Sequence, residues 1–263
     1  MRLTVLGKSP SWQDANGACS GYLVEHEDTT ILLECGNGVF GKLRQLRDYT
    51  RVDAVVVSHM HSDHFFDLIP YSYALLYAPR QQPVPVARWS GTDSPARPAL
   101  HLPPGGEAVG ARVTGAFDTE DLLQRAFEVQ EYKPEDALTI DGVSIRFCSI
   151  PHFIDAFAVE LTDPTGKRIV YGSDCCPNEA IIEFARGAEL LLLEATLPRP
   201  ERSGVRGHLT PTEAGEHAKQ AGVKRLVLTH ISDELDLLWA EQEAEEAFGQ
   251  PVKVAHEGAT YSV

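Results

Sequence analysis

Three histidines and an aspartate crowd into six residues directly after the apolar run 54–57. His59, His61, Asp63 and His64 offer imidazole nitrogens and a carboxylate, which are the donors that borderline divalent cations such as Zn²⁺ prefer. In an extended segment His59 and His61 point the same way, whereas Asp63 and His64 fall on the turn beyond. The pattern therefore predicts a metal site with room for a second ion. A polar loop of solvated histidines is the alternative, but four such donors rarely gather at a strand end without a charge to satisfy.

Four later apolar runs also end in polar donors. These ends are Pro151-His152, Gly172-Ser173-Asp174, Glu194-Ala195-Thr196 and Thr229-His230. In α/β sheets the ligand crevice lies outside the carboxyl ends of the strands. We therefore expect these side chains to converge on the His59–His64 segment.

His208 stands just before a predicted helix over residues 211–221. Thr210 and Glu213 have the spacing of a capping box, Pro211 suits the first helical position, and Gly222 suits the C-terminal cap. The free N–H groups of a helix start favour an anion nearby. His208 is therefore a candidate catalytic residue; a capping or core histidine is the alternative.

Composition limits the possible functions. The 263 residues are 43% hydrophobic, which is enough for a sizeable core, and the formal net charge is −15. This charge disfavours a large RNA partner, because non-specific binding relies on Lys and Arg neutralising phosphates. The five cysteines lack a disulfide framework spacing, and neither a signal peptide nor a membrane span is evident. We therefore expect a cytoplasmic protein with reduced thiols and no membrane partner.

The chain reads as an alternation of strands and helices in one domain, residues 1–263. Proline and glycine are concentrated between 79 and 111, which predicts a surface excursion with one short strand near 84–87. The helix predicted over 65–77 carries apolar and aromatic residues, so a homodimer is a reasonable expectation. The predicted strands are 2–6, 21–26, 30–34, 54–57, 143–150, 168–171, 190–193, 225–228, 252–255 and 259–262, and further helices are predicted through Leu43 and Leu46, at 119–127 and at 234–248.

The ordered set of donors resembles the metallo-β-lactamase-fold hydrolase superfamily across essentially the whole chain. This resemblance implies an α/β protein with a four-layer αββα sandwich and a dinuclear site between its sheets. By position, one ion would be held by His59, His61 and His152, the other by Asp63, His64 and His230, and Asp174 would bridge them. The cofactors would be two divalent metal ions, with Zn²⁺ expected and Mn²⁺ or Fe²⁺ left open.

The subfamily follows from the segments around Glu194 and His208. Glu194-Ala195-Thr196 with Gly207-His208-Leu209-Thr210 looks like the ribonuclease Z branch and its small bacterial cyclic-nucleotide phosphodiesterase relatives, in which a Glu–His pair assists the leaving group. Two features depart from ribonuclease Z: Leu193 stands where that enzyme typically has His, and a separate glycine-rich arm for tRNA is missing. True β-lactamases of the fold carry Cys at the position of Asp174.

These features predict a metal-dependent hydrolase, a phosphodiesterase acting on small phosphodiesters such as cyclic nucleotides. Asp63 would ligate a metal and orient the nucleophile, and His208, steered by Glu194, would protonate the leaving group or stabilise the equatorial oxygens. Three alternatives stay open: a ribonuclease Z-like tRNA 3′-processing endonuclease, a carboxylic ester, thioester or lactone hydrolase, and a metal-dependent binding protein without turnover.

Overall fold

The computed structural model describes residues 1–263 and contains two seven-stranded sheets flanked by helices. The strands are β1 (Arg2–Gly7), β2 (Gly21–His26), β3 (Thr29–Leu33), β4 (Ala54–Val56), β5 (Ala99–Leu102), β6 (Glu128–Glu131), β7 (Leu138–Ile140), β8 (Val143–Ile150), β9 (Ala156–Thr162), β10 (Arg168–Tyr171), β11 (Leu190–Glu194), β12 (Leu226–Thr229), β13 (Val252–Val254) and β14 (Thr260–Ser262). The α-helices are α1 (Val39–Leu46), α2 (Ser62–Phe65), α3 (Leu68–Tyr77), α4 (Gly106–Gly115), α5 (Leu122–Ala126), α6 (Glu179–Phe184), α7 (Pro211–Ala221) and α8 (Leu237–Phe248), and 3₁₀ turns cover Tyr49–Arg51 and Pro79–Gln81.

Each sheet has an antiparallel half and a parallel half. The first sheet has the order β14-β1-β2-β3-β4-β5-β6 and is parallel from β3 to β6. The second has the order β13-β12-β11-β10-β9-β8-β7 and is parallel from β10 to β13. Because β8 and β10 are both antiparallel to β9, they end at the same edge as β11 and β12. One edge of the second sheet thus collects the carboxyl ends of the strands that precede His152, Asp174 and His230.

The alternation of side chains along the strands builds the layers. In β2 and β3, Tyr22, Val24, Ile31 and Leu33 belong to the core between the sheets, while the residues between them face the helices. The helix layers are packed by α1, α3 and α5 on the first sheet and by α6, α7 and α8 on the second. The predicted four-layer αββα sandwich is confirmed. The single domain over 1–263 stays a prediction, which the core shared by both sheets supports.

Helix α7 has the boundaries that its sequence predicts. The Thr210 side chain accepts from the Glu213 backbone N–H, the Glu213 carboxylate accepts from the Thr210 backbone N–H, and Gly222 ends the helix at φ 63°. This capping box fixes the turn that immediately follows His208.

The segment 79–111 is not the continuous excursion that its proline content predicts. β5 lies inside it, buried and paired with β4 and β6, and α4 begins at Gly106. The prediction of a strand near 84–87 is wrong, because only an isolated bridge joins Val86 and Trp89, and Val84 is exposed. Pro83 and Pro85 lack the N–H donors that a ladder needs. None of the helices combines the length and apolar character needed to cross a membrane.

Candidate metal centre

The loops after four strands bring the predicted donors to one place. His59 to His64 follow β4, His152 follows β8, Asp174 follows β10 and His230 follows β12. Their ligand atoms form two groups, and within each group all atoms lie within 4.8 Å of one another. One group is His59, His61, His152 and Asp174; the other is Asp63, His64, His230 and Asp174.

Three imidazole nitrogens face one point in the first group. His61 Nδ1 lies 3.1 Å from His59 Nε2 and 3.1 Å from His152 Nε2. The carboxylate atom Asp174 Oδ2 lies 3.8 Å from His59 Nε2 and 4.0 Å from His152 Nε2. Three nitrogens and one oxygen at these separations match the donor set and number of a four-coordinate zinc site.

The backbone sets the tautomer of His152. Its Nδ1 atom lies 2.8 Å from the carbonyl oxygen of Gly207, which can only accept, so Nδ1 donates. His152 Nε2 therefore carries a lone pair toward His61 and His59. A hydrogen-bonded far nitrogen is typical of metal-binding histidines, because it fixes the ring and raises its basicity.

The second group shares the atom Asp174 Oδ2 with the first. That atom lies 3.3 Å from His64 Nε2 and 3.2 Å from His230 Nε2. Asp63 Oδ2 lies 3.4 Å from His64 Nε2 and 3.1 Å from His230 Nε2. All four side chains are almost fully buried. Asp174 is thus placed to contact ions in both groups.

His230 is oriented by a hydroxyl group. Thr196 Oγ1 donates to Glu194 Oε2 at 2.6 Å, and His230 Nδ1 lies 2.8 Å from the same Oγ1. Since the hydroxyl hydrogen is used on Glu194, His230 Nδ1 donates to Oγ1, and His230 Nε2 faces the carboxylate oxygens of Asp63 and Asp174.

Burial and charge shift the pKa values of the cluster strongly. Burial lowers the pKa of His59 well below its usual value, and the nearby His64 charge adds to this. Burial also acts to lower the pKa of His64, but the carboxylates of Asp174, Asp63 and Glu34 outweigh it and raise that pKa. For Asp174, burial acts to raise the pKa, yet the charges of His230 and His64 hold it well below its usual value. The carboxylates thus require positive charge beside them.

Several buried polar atoms of the cluster lack hydrogen-bond partners, and this bears on whether divalent ions can bind among them. Both ring nitrogens of His64, Asp174 Oδ1 and Glu34 Oε2 are buried and have no partner in hydrogen-bonding geometry. Buried polar atoms without partners are costly and rare. Divalent ions would give His64 Nε2 and Asp174 their partners, would replace the proton on His64, and would supply the missing charge. The residues therefore fit divalent metals.

Glu194 and His208 form a separate pair beside the second group. His208 Nδ1 donates to Glu194 Oε1 at 2.9 Å, and its ring centre lies 5.1 Å from that of His152 and 5.5 Å from that of His230. Burial acts to lower the pKa of His208, but the hydrogen bond and charge of Glu194 outweigh it and raise the pKa to about 9. The raised pKa favours protonation of a ring whose Nδ1 is held by Glu194 and whose Nε2 remains available as a proton donor.

The Glu194 carboxylate is fully buried and fully hydrogen-bonded. Besides His208, its oxygens accept from the backbone N–H groups of Cys175, Leu209 and Thr196 and from the Thr196 hydroxyl. With these oxygens occupied, Glu194 positions His208 and has little capacity left to bind a metal.

Glu34 belongs to the site although the sequence reasoning missed it. Its side chain is fully buried, its Oε1 accepts from the Ser58 backbone N–H at 2.9 Å, and its Oε2 lies 3.5 Å from His64 Nδ1. Its backbone has φ 63°, an uncommon conformation for a residue other than glycine. The signal was present, because Glu34 ends the apolar strand β3 just as the other donors end theirs.

Comparisons with known proteins agree with this geometry. Residues 29–231 match the family profile described as "Beta-lactamase superfamily domain". An uncharacterized protein of Mycobacterium leprae is 31% identical over 264 residues, covering 100% of this chain and 89% of the relative. The "Probable metallo-hydrolase YhfI" of Bacillus subtilis is 29% identical over 267 residues, covering 98% of each chain.

A solved structure and a named nuclease extend the comparison. The crystal structure of the metallo-β-lactamase fold protein YhfI from Bacillus subtilis superposes with a TM-score of 0.84 at 25% identity, covering 99% of this chain and 98% of that one. A "Ribonuclease Z" of Natronomonas pharaonis is 26% identical over 305 residues, covering 100% of this chain and 98% of the relative. The sequence resemblance to this fold and branch is confirmed.

Proposed function

The chain belongs to the metallo-β-lactamase superfamily of metal-dependent hydrolases, and on that premise we propose that it is a phosphodiesterase acting on small phosphodiesters such as cyclic nucleotides. The observation that carries the proposal is the Glu194–His208 pair beside the donor groups. The relative named Ribonuclease Z supports phosphodiester chemistry on this scaffold.

The predicted ligand sets are retained as part of the proposal. His59, His61 and His152 would hold one divalent ion, Asp63, His64 and His230 the other, and Asp174 would contact both. When bound, such ions act as Lewis acids on phosphoryl oxygens and lower the pKa of water. Zn²⁺ suits the nitrogen-rich first group, and Mn²⁺ or Fe²⁺ remain options for the oxygen-richer second group.

Three side chains of the protein would orient the water, donate a proton to the leaving group and balance the charge of the proton donor. Asp63 is nearly fully buried, its Oδ2 lies 3.1 Å from His230 Nε2, and from there it would ligate a metal and orient the attacking water. His208 donates its Nε2 proton to the departing alkoxide or stabilises the equatorial phosphoryl oxygens. Glu194 holds the His208 ring and balances its positive charge.

The charge of His208 favours a phosphodiester over a carboxylic ester. Attack on a phosphodiester adds negative charge to a phosphoryl group that is already anionic, and an alkoxide leaves poorly without a proton. A thioester or lactone develops one oxyanion and, for a thioester, releases a good leaving group. A cationic imidazole beside the metal donors therefore contributes most in phosphodiester cleavage.

An exposed aromatic side chain at the rim favours a nucleotide. The Phe153 side chain is 52% exposed, and its ring centre lies 4.9 Å from that of His152 and 5.8 Å from that of His208. A nucleobase stacks well on such a surface. The net charge of −15 disfavours long RNA, whose many phosphates would meet an acidic surface. The homodimer inferred from 65–77 stays a prediction.

A substrate panel on protein of measured metal content tests the proposal. The panel contains bis-p-nitrophenyl phosphate, 3′,5′-cyclic AMP, a linear dinucleotide, an acyl thioester, a lactone and a precursor tRNA. We expect the small phosphodiesters to give the highest kcat/KM. Faster cleavage of the thioester or lactone would contradict the proposal, faster processing of tRNA would favour the endonuclease, and tight nucleotide binding without hydrolysis would favour a binding protein.

A further inference from the structure

A cavity of about 340 Å³ lies beside the segment that precedes β4, whereas the metal donors of the His59–His64 segment follow that strand. We call it the arginine cavity, and its wall includes Arg44, Arg47, Tyr49, Arg80 and Trp89. The chain leaves this cavity at Tyr49, passes through β4 and reaches His59 only beyond it. None of the residues that line the cavity belongs to the metal-donor groups, so the cavity is separate from the metal centre.

Guanidinium groups and aromatic rings alternate in the cavity wall. The Arg44 and Arg80 guanidinium carbons lie 5.9 Å and 5.8 Å from the centre of the Tyr49 ring. Arg80 also lies 4.2 Å from the centre of the Trp89 ring, and Trp89 is 53% exposed. Arginine stacked on aromatic rings keeps its N–H donors free at the edge of the guanidinium plane.

One arginine of the cavity, Arg44, is exposed and has no carboxylate partner. Arg80 pairs with Asp48 at 2.7 Å and Arg47 pairs with Glu25 at 2.9 Å, but Arg44 has no carboxylate within ion-pair distance. In a chain with a net charge of −15, three arginines around one cavity favour an anion there.

We propose that the arginine cavity binds a nucleoside monophosphate. Its phosphate contacts Arg44, the arginine without a carboxylate partner, and its base stacks on the exposed face of Trp89. The volume falls within the range of small-molecule sites, and charged donors combined with an exposed indole select an aromatic anion over inorganic phosphate. This site does not depend on the function proposed for the metal centre.

Calorimetric titration of 5′-AMP into metal-loaded full-length protein tests the proposal. Arg44→Met removes the unpaired cation while keeping much of the side-chain volume, and Arg112→Met removes an exposed charge on α4 as the matched control. We expect Arg44→Met to weaken the cavity component of AMP binding about tenfold or more and the control to leave it unchanged. AMP at the metal centre contributes equally to these proteins, so the difference reports the cavity.

Tryptophan fluorescence supplies the second readout. AMP should quench the wild-type emission and should lose this effect in Trp89→Leu, while adenosine and inorganic phosphate bind more weakly than AMP. Unaltered circular dichroism and wild-type turnover of bis-p-nitrophenyl phosphate by Arg44→Met would show an intact fold and metal centre. Identical AMP isotherms for wild type and Arg44→Met, or phosphate binding as tightly as AMP, would overturn the proposal.

Discussion

The two groups of metal donors and the Glu194–His208 pair are neighbours, but their buried polar atoms find partners in opposite ways. In the donor groups, buried atoms of His64 and Asp174 have no hydrogen-bond partner. Glu194, by contrast, accepts five hydrogen bonds from within the protein. The first region is complete only with cations bound, whereas the second is organised by the chain alone. Metal loss should therefore disturb the first and leave the second largely intact.

Replacing Asp174 should have the largest effect, because its Oδ2 atom belongs to both donor groups. We expect Asp174→Ala to lower metal content at both positions and to reduce phosphodiester turnover by about 10⁴-fold or more, since each ion contributes several kcal/mol of charge stabilisation. Metal analysis and steady-state kinetics measure both effects. Asp163→Asn alters another buried carboxylate, which lies in the β9–β10 turn and pairs with the N-terminal amine, and it should keep metal and turnover. A fully metallated Asp174→Ala variant would contradict the division into two regions.

Replacing His208 should separate catalysis from metal binding. We expect His208→Ala to keep its metal and to lose about 10²–10⁴-fold in turnover, because general acid catalysis contributes that much. The loss should be larger for cyclic AMP, which releases an alkoxide, than for bis-p-nitrophenyl phosphate. Equal losses on the two substrates would instead indicate stabilisation of the equatorial oxygens.

His217 provides the matched control for His208. It is buried on α7, its Nδ1 donates to the Glu213 carbonyl at 2.7 Å, and its Nε2 accepts from the Asn178 backbone N–H at 3.0 Å. His217→Ala should lower stability but keep turnover per folded molecule. If His208→Ala lost its metal as Asp174→Ala does, His208 would belong to the donor groups.

Replacing Glu34 should weaken metal binding without abolishing it. Glu34 Oε2 faces the far nitrogen of His64, and such partners of metal-binding histidines are typically worth about 10–100-fold in metal affinity. Metal titration of Glu34→Gln against a competing chelator measures this loss. Glu160→Gln changes a buried carboxylate that pairs with arginines instead, and it should give the wild-type titration curve.

The sequence predicted where the donor side chains gather better than it predicted the sheets. The donors were recognisable because ligand-type side chains rarely end apolar strands by chance, and α7 was recognisable because its caps are local. β9 was missed: it contains Glu160, which is tolerated inside because Arg146 and Arg168 pair with it across the sheet. Partners of that kind are set by tertiary structure and leave no local pattern.

Three other strands, β5, β6 and β7, were not predicted either, and β7 is a three-residue strand at the edge of the second sheet. β6 is the edge strand Glu128–Glu131, mostly exposed, and it shows no apolar alternation. β5 was hidden among prolines, although its own residues lie between β4 and β6 in the sheet. Glu34 was overlooked because a lone glutamate before Cys35 and Gly36 lacks the density of the His59–His64 motif. Its role follows only from its distance to His64.

Thr196 joins the two regions, so replacing it measures how far they are coupled. Its hydroxyl donates to Glu194 and accepts from His230 Nδ1. Thr196→Val keeps the shape but removes both bonds, and we expect about tenfold weaker metal binding through His230 and about tenfold lower turnover through Glu194. Thr196→Ser retains the hydroxyl and should behave as wild type. Loss of turnover at saturating metal would show that Glu194 depends on this hydroxyl, whereas full recovery there would show that the hydroxyl acts only through the metal ligand.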